Sequence, residues 1–423
     1  MMAKVKKLLP LKLKIYIKSL FIDKNLPFLF NKYRLNILFK QIDRAYTKYY
    51  QSSNINLNIL LEQINLIKVF KPKDQSVFKN MIQLLFDVLG IDNSITEKKL
   101  ELTKRFDKID SDLLSINSWH AIYLFVSLKG EFLIANIFRK KSMESVLSLN
   151  IDNIKSPSDL SHLYNAYIEN AMWNNAKKLI QKLQRLPYSL LFNTKKMKVY
   201  LSIVSNNIKD STLKNPKRHK SNRNNEFYNL INEKEIAIVG PAPVKSNLKD
   251  EIDNFDYVIR LNYKGDKLEN DVTQTGERVE ITYYNCENGR LIANANTSFI
   301  KDLSYVCFKA RRDYQKNLLN SDKTRHIFTY RYEFLGSFNM VPLTVIDLLH
   351  FAPKRIKIFG TTFFGNQKKY ISGYQLKHLI SRPIQDEWRS LTIHNQITQI
   401  RFIRNLIDNK RIEASDEVMD IIN

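Results

Sequence analysis

Three short apolar runs, EIAIVG (235–240), YVIRLN (257–262) and RVEITYYN (278–285), recur at nearly even spacing in the second half of the chain. Each is too short for a stable helix and each stops at a glycine or an asparagine. The NLKDEID stretch after the first run reads as a helix, with Asn247 as its N-cap and Asp250 and Glu251 in its first turn. Alternating strands and helices of this kind close into an open α/β sheet, whose ligand lies outside the carboxyl ends of the strands. Gly240, Asn262 and Asn285 are therefore expected to face the ligand. An asparagine amide suits a pyrimidine or a ribose, because it carries both donors and an acceptor.

The turn after the first run is unusual for such a fold. It reads Gly240-Pro241-Ala242-Pro243, and the two prolines delete two backbone donors. Neither the G-x-G-x-x-G nor the G-x-x-x-x-G-K-[ST] spacing occurs there, so a phosphate cradle of the dinucleotide or P-loop type is excluded.

Upstream the pattern changes. Residues 205–232 are polar, basic and rich in asparagine, and are expected to form a linker. Residues 41–204 carry helical periodicity. HAIYLFVSLKGEFLIANIFRKKS (120–142) and SHLYNAYIENAMWNNAKKLIQKL (161–183) align at an offset of 41, pairing Tyr123 with Tyr164, Gly130 with Ala171, Ala135 with Ala176 and Phe138 with Leu179. Stacked helical hairpins, as in tetratricopeptide-like arrays, and an irregular all-α bundle both fit two copies. Asp110-Ser111-Asp112 imitates a metal-binding D-x-D, but it lies in helical sequence and reads as a cap or solvated turn.

Charge narrows the partners. The formal net charge is +25, from 67 Lys and Arg against 42 Asp and Glu. Nucleic acid, anionic lipid and acidic substrates would all be attracted to it, while a lysine-rich compositional bias explains it without any partner. No nucleic-acid-binding module signature is present, so no nucleic-acid partner is expected. Residues 1–40 hold ten Lys or Arg against Asp23 alone, interleaved with Leu, Ile and Phe. Peripheral contact with an anionic membrane and a helix whose lysines face water are both compatible with that segment. Lys12, Lys14 and Lys18 break its apolar run, so it is not expected to be an export signal. Two isolated cysteines, Cys286 and Cys307, make neither a disulfide framework nor a metal cluster, and a cytoplasmic location is expected.

The segment IAIVGPAP followed by EIDNFDYVIRLN and TGERVEITYYN resembles the large sialyl motif of the sialyltransferase superfamily. MVPLTVIDLLHFAPKRIKIFGTTFF (340–364) resembles the small sialyl motif, and HNQITQIRFIRNLI (394–407) falls where the very short motif stands. The resemblance covers about residues 235–408. It implies a GT-A-variant, Rossmann-like glycosyltransferase domain over 233–423 that is inverting and uses a CMP-activated sugar acid, sialic acid or Kdo-like, with a glycan or glycolipid acceptor. It implies no cofactor and no metal, in keeping with the absence of D-x-D from 235–423. Carried over residue by residue, it assigns Gly240, Pro241, Ala242, Asn262, Asn285 and Thr344 to the nucleotide. Pro241 stands where the family has its first asparagine, which removes one cytidine contact, and Asn262 keeps the second. Gln399 replaces the family's glutamate, and the two cysteines that tie the motifs in eukaryotic members are missing.

Chemistry supplies the rest of the expected site. His394 follows Thr392 near the start of an amphipathic helix, where the dipole disfavours its proton and leaves a neutral imidazole able to act as a base. His378, sixteen residues earlier, is the second catalytic candidate. Tyr370 and Tyr374 could meet the departing phosphate or simply pack. The helix opened by Pro342 and Thr344 offers N–H groups to the same phosphate, Arg382 is a candidate for a donor carboxylate, and Arg260, Glu251, Asp253 and Asp256 are expected to be structural. A nucleic-acid-binding helical-repeat protein and a nucleotide-binding relative without turnover are the alternatives.

Overall fold

A computed structural model describes residues 26–51, 60, 65–90, 96–129, 131–154, 157–185, 194–205, 222–265, 272–294, 298–309, 323–327, 338–363 and 396–422. The chain divides into two compact units, the first ending at Thr194 and the second taking up the chain from Lys195.

Every described element of the first unit is a helix: α1 Leu26–Gln51, α2 Leu66–Phe70, α3 Gln75–Leu89, α4 Thr96–Asp107, α5 Ile116–Leu128, α6 Phe132–Leu147, α7 Pro157–Glu169 and α8 Trp173–Arg185. Phe78, Ile82, Leu85, Phe86, Trp119, Phe125 and Phe138 form the centre of its core. The offset of 41 reappears in the helices themselves, since α5 and α7 begin at 116 and 157 and α6 and α8 at 132 and 173. The residues paired by the repeat share one fate: Tyr123, Tyr164, Ala135, Ala176, Phe138 and Leu179 are all buried. Ala171 turns the second hairpin in the left-handed region, with φ 53. A period of 41 is longer than the 34 residues of a tetratricopeptide repeat, so the hairpins are not of that length class.

The second unit is mixed α/β. Its elements run α9 Thr194–Val204, α10 Asn222–Ile231, β1 Glu235–Val239, α11 Lys249–Asp253, β2 Tyr257–Leu261, α12 Val272–Thr275, β3 Ile281–Tyr284, α13 Cys286–Asn294, β4 Tyr305–Phe308, β5 Thr324–His326, α14 Met340–Leu349, β6 Arg355–Phe359, α15 Gln396–Asp408, β7 Glu413–Ala414 and α16 Asp416–Ile422. The seven strands form one sheet in the order β5-β4-β3-β2-β1-β6-β7, parallel at every pairing. Strands β3 and β4 are buried along their whole length, the pattern of a parallel sheet covered on both faces. Ala237, Val239, Val258 and Phe359 on one face pack on Ile252 and Phe255 of the α11 region. The other face meets α10 and α14, where Phe227 packs edge-on against Tyr305 and Phe351.

On that second face lies a buried ion pair. Arg325 of β5 and Asp347 of α14 are 1% and 0% exposed, and their guanidinium and carboxylate meet bidentately, with Nη2 to Oδ1 at 2.9 Å. Tyr283 donates its hydroxyl to the same carboxylate, and Asn224 of α10 accepts from Arg325 Nε. Phe227 and Phe351 bracket the guanidinium at 4.5 and 4.7 Å.

The expected linker 205–232 needs correction at its end. Residues 222–231 form α10, whose Phe227 and Ile231 are fully buried. Although the stretch is polar, two well-placed apolar side chains suffice once the sheet supplies their partners. Helix α9 also belongs with the α/β unit, its Tyr200 stacking on Phe402 of α15 at 6.3 Å.

Candidate functional site

The strand order reverses at β1. From β1 the chain adds β2, β3, β4 and β5 on one side, and then returns to place β6 on the other, so the topological switch point lies between β1 and β6. Ligands of open α/β sheets bind at the carboxyl ends of the two strands flanking that point. Here those ends are Gly240 and Gly360, and the two loops are joined backbone to backbone. Gly240 N–H donates to the Phe359 carbonyl and Ala242 N–H to the Gly360 carbonyl, both at 2.9 Å. A Cβ on Gly240 would stand 2.4 Å from the Gly360 carbonyl oxygen, and Gly360 itself has φ 55. Only glycines allow this approach.

The structure shows why the Gly-Pro-Ala-Pro turn is not a phosphate cradle. Besides Gly240 and Ala242, Lys245 and Ser246 also spend their N–H groups internally, both on Glu417 Oε1 of α16, at 2.9 and 2.7 Å. Pro241 and Pro243 have none to give. The loop is a rigid wall, with Ala242 and Val244 buried behind it.

The two asparagines that end β2 and β3 are linked to each other. Asn262 sits in the left-handed region at φ 53, which asparagine tolerates better than most residues, and its Oδ1 accepts the Asn285 N–H at 3.0 Å. Asn285 in turn accepts from Asn288 N–H at 2.7 Å, acting as N-cap of α13. Both amide oxygens thus hold the carboxyl edge in shape. The helix after β1 differs slightly from expectation: α11 begins at Lys249 with Leu248 in the cap position, and Asn247 Oδ1 accepts the Lys249 N–H.

Arg260 is structural. It is buried and donates to the carbonyls of Thr275, Gly276 and Arg278, while Arg278 reaches the carbonyls of Asp253, Phe255 and Asp256. The residues Thr275-Gly276-Glu277-Arg278 are therefore the clamp that locks α11 and β2 together. Glu251 pairs with Lys357 and Asp256 accepts the Glu235 N–H.

Thr344 lies in the second turn of α14, fully buried, and its hydroxyl has no partner among the described residues. The start of α14 is held from two sides. Gln399 of α15 accepts the Asn339 N–H at 2.9 Å, and Lys309 Nζ donates to the Phe338 carbonyl at 3.2 Å. His394, His378, Tyr370 and Tyr374 lie outside the described residues, as do Arg382 and Thr392.

Sequence reasoning passed over Gly360 and Glu417. The run RIKIFG repeats the form of EIAIVG, an apolar strand closed by glycine, and that symmetry was the available signal for Gly360. Nothing local marks Glu417. Among the described residues no group of three or more His, Cys, Asp and Glu side chains is disposed to hold a metal, and no helix is long and apolar enough to cross a membrane. No protein-family model matches this chain, and no curated protein matches it.

Proposed function

We propose that the α/β unit is a GT-A-variant glycosyltransferase domain that moves a sugar acid, sialic acid or a Kdo-like residue, from a CMP-activated donor to a glycan acceptor. The observation that carries this reading is a coincidence of place: Gly240, from the segment that resembles the large sialyl motif, and Gly360, from the segment that resembles the small one, are the two residues that flank the switch point. The acceptor hydroxyl attacks the anomeric carbon, its proton passes to the His394 imidazole, and the bond to the CMP phosphate breaks with its electron pair on the phosphate oxygen. Configuration inverts in this single displacement. His378 is the reserve candidate for the base. Tyr370 and Tyr374 are assigned to the leaving phosphate. The reading uses no metal, on the ground that residues 235–423 contain no D-x-D. The basic residues 1–40 then serve peripheral contact with an anionic membrane on the cytoplasmic side.

Thermal denaturation with nucleotides tests it. CMP or CTP should raise the melting temperature, by mass action on the folded state, and UDP and GDP should not. Stabilisation by UDP or GDP in place of CMP refutes the donor class. CMP binding without release of CMP from any CMP-sugar would establish instead a nucleotide-binding protein without turnover. With an active donor in hand, His394→Ala should lower turnover by about 100- to 10,000-fold and leave CMP affinity nearly intact. Unchanged turnover removes His394 from the mechanism.

A further inference from the structure

The loops on the two sides of the switch point dispose of their N–H groups in opposite ways. After β1 they are spent: those of Gly240, Ala242, Lys245 and Ser246 go to protein oxygens, and Pro241 and Pro243 have none. Most nucleotide-binding α/β sheets turn free N–H groups of this first loop toward the phosphate. Helix α11, with five residues, is too short to make up the loss through its dipole. An anion in the crevice must find its donors elsewhere on the carboxyl edge.

After β6 the donors are kept. Thr361, Thr362 and Phe363 are successive residues whose N–H groups meet no acceptor among the described residues, and the two threonine hydroxyls have no partner there either. Thr361 and Thr362 are nevertheless only 8% and 7% exposed. Polar groups withdrawn from water without a partner carry a desolvation cost that a ligand can repay. The neighbouring loop fixes their place. The Cβ that Gly240 lacks would stand 3.2 Å from the Thr361 Cβ, so this side chain lies directly against the end of β1 at the switch point.

Backbone conformation marks the same loop. Gly360 has φ 55 and Phe363 φ 47, so left-handed residues bracket the two threonines. Glycine enters that region freely, whereas a bulky aromatic residue does so at a cost and is held there by its surroundings; Phe363 is buried. Successive backbone N–H groups in a turn with left-handed residues make the kind of concavity that takes an anion. Hydroxyl donors beside them add bonds that strengthen when the acceptor is charged.

We propose that the β6 loop, Thr361 to Phe363, is the phosphate-binding element of this crevice, in place of the β1 loop; that the phosphate is the one of CMP rests on the CMP-sugar reading above. Calorimetric titration of the full chain with cytidine and CMP tests it, on wild type and on the double variant Thr361→Val, Thr362→Val. The double substitution takes away no hydrogen bond among the described residues, so the melting temperature should hold. CMP should bind about 10- to 100-fold more weakly, and cytidine as before. Wild-type affinity of the double variant for CMP overturns the proposal, and so does an equal loss for cytidine. Amide exchange of the wild type reads the backbone donors without any substitution, and decides the matter should the double variant melt early. CMP should slow exchange over 361–363 beyond any effect of cytidine; exchange that the two compounds leave alike overturns the assignment. If the wild type binds neither compound, the CMP reading fails on its own, and inorganic phosphate replaces CMP in both measurements. Slower exchange over 361–363 and weaker binding by the double variant then uphold the loop as a phosphate site, and their absence refutes it.

Discussion

Asp347 shows how much a single residue can carry without touching a ligand. It neutralises Arg325 at a position where both are cut off from water, and it accepts the Tyr283 hydroxyl as well. Burial, with the Asp347 charge beside it, pushes the Tyr283 phenol well above its usual range, so the phenol stays protonated and keeps donating. Removing one partner of a buried pair leaves the other charge uncompensated, at a cost of about 3–5 kcal/mol. Asp347→Asn should therefore destabilise the α/β unit by that amount. The Cys307 thiol gives a direct readout, since it is fully buried and burial pushes its pKa up to about 12. Labelling of Cys307 by a thiol reagent should speed up by about 150- to 5,000-fold in the variant when labelling follows unfolding. An unchanged rate would mean that the pair contributes nothing net to stability. None of this network was legible in the sequence. SDKTRHIF reads as a polar loop, and Asp347 as one acid in an apolar helix, because an ion pair between residues 22 apart exists only once the sheet brings β5 beneath α14.

At the scale of elements, the helical unit carries polar groups where a solenoid core is usually apolar. His120 of α5 and His162 of α7 are 3% and 5% exposed. Arg139 of α6 and Glu169 of α7 form a buried ion pair nearby, Tyr123 packs its ring edge-on against His120, and His162 Nε2 lies 3.3 Å from Asn117 Oδ1. Desolvation is the main cause that holds both imidazoles neutral: the His162 pKa falls to about 4, and His120, which also feels His162 and Arg139, falls well below its usual value. A histidine whose folded pKa is depressed contributes stability that is complete above the unfolded value near 6.5 and is lost as pH falls through the folded one. The helical unit should therefore weaken between about pH 6.5 and pH 4, by on the order of 3 kcal/mol for His162 alone. Helical circular dichroism against urea at pH 7 and pH 4.5 measures this. His162→Gln should flatten the difference, and an equal dependence in the variant would move the effect to other groups. The hairpins were legible here through the offset of 41, because burial of matching positions repeats in sequence. The polar cluster was not, because a histidine at helical spacing looks the same whether it faces water or core.

Across the whole molecule, the boundary between the units lies earlier than composition indicated. Tyr200 of α9 is fully buried and stacks on Phe402, which in turn packs on Phe338 at 4.7 Å, just before α14. Tyr200→Ala should thus destabilise the α/β unit, by about 3–5 kcal/mol as for other large-to-small aromatic replacements, and leave the acid-sensitive transition of the helical unit in place. Limited digestion with a protease of broad specificity gives a companion test. Cleavage should concentrate within the polar stretch 206–221 and spare 224–231, because Phe227 and Ile231 are held under the sheet. Rapid cutting at residues beyond 224 would show that α10 is not part of the packed unit.

By itself the sequence determined the elements whose signals are local. Short apolar runs closed by glycine or asparagine announced the parallel strands, periodicity announced the helices, and two prolines in one turn ruled out a phosphate cradle, all through interactions within a few residues of chain. Tertiary structure alone decided which ends of those elements meet. The strand order placed Gly360 against Gly240, set Glu417 on the N–H groups of the β1 loop 171 and 172 residues away, and gave the amide oxygens of Asn262 and Asn285 to the backbone of the carboxyl edge. The physical reason is that hydrogen-bond donors and acceptors are satisfied by whatever stands within about 3 Å after folding, and a sequence states the inventory of such groups without stating which of them will be neighbours.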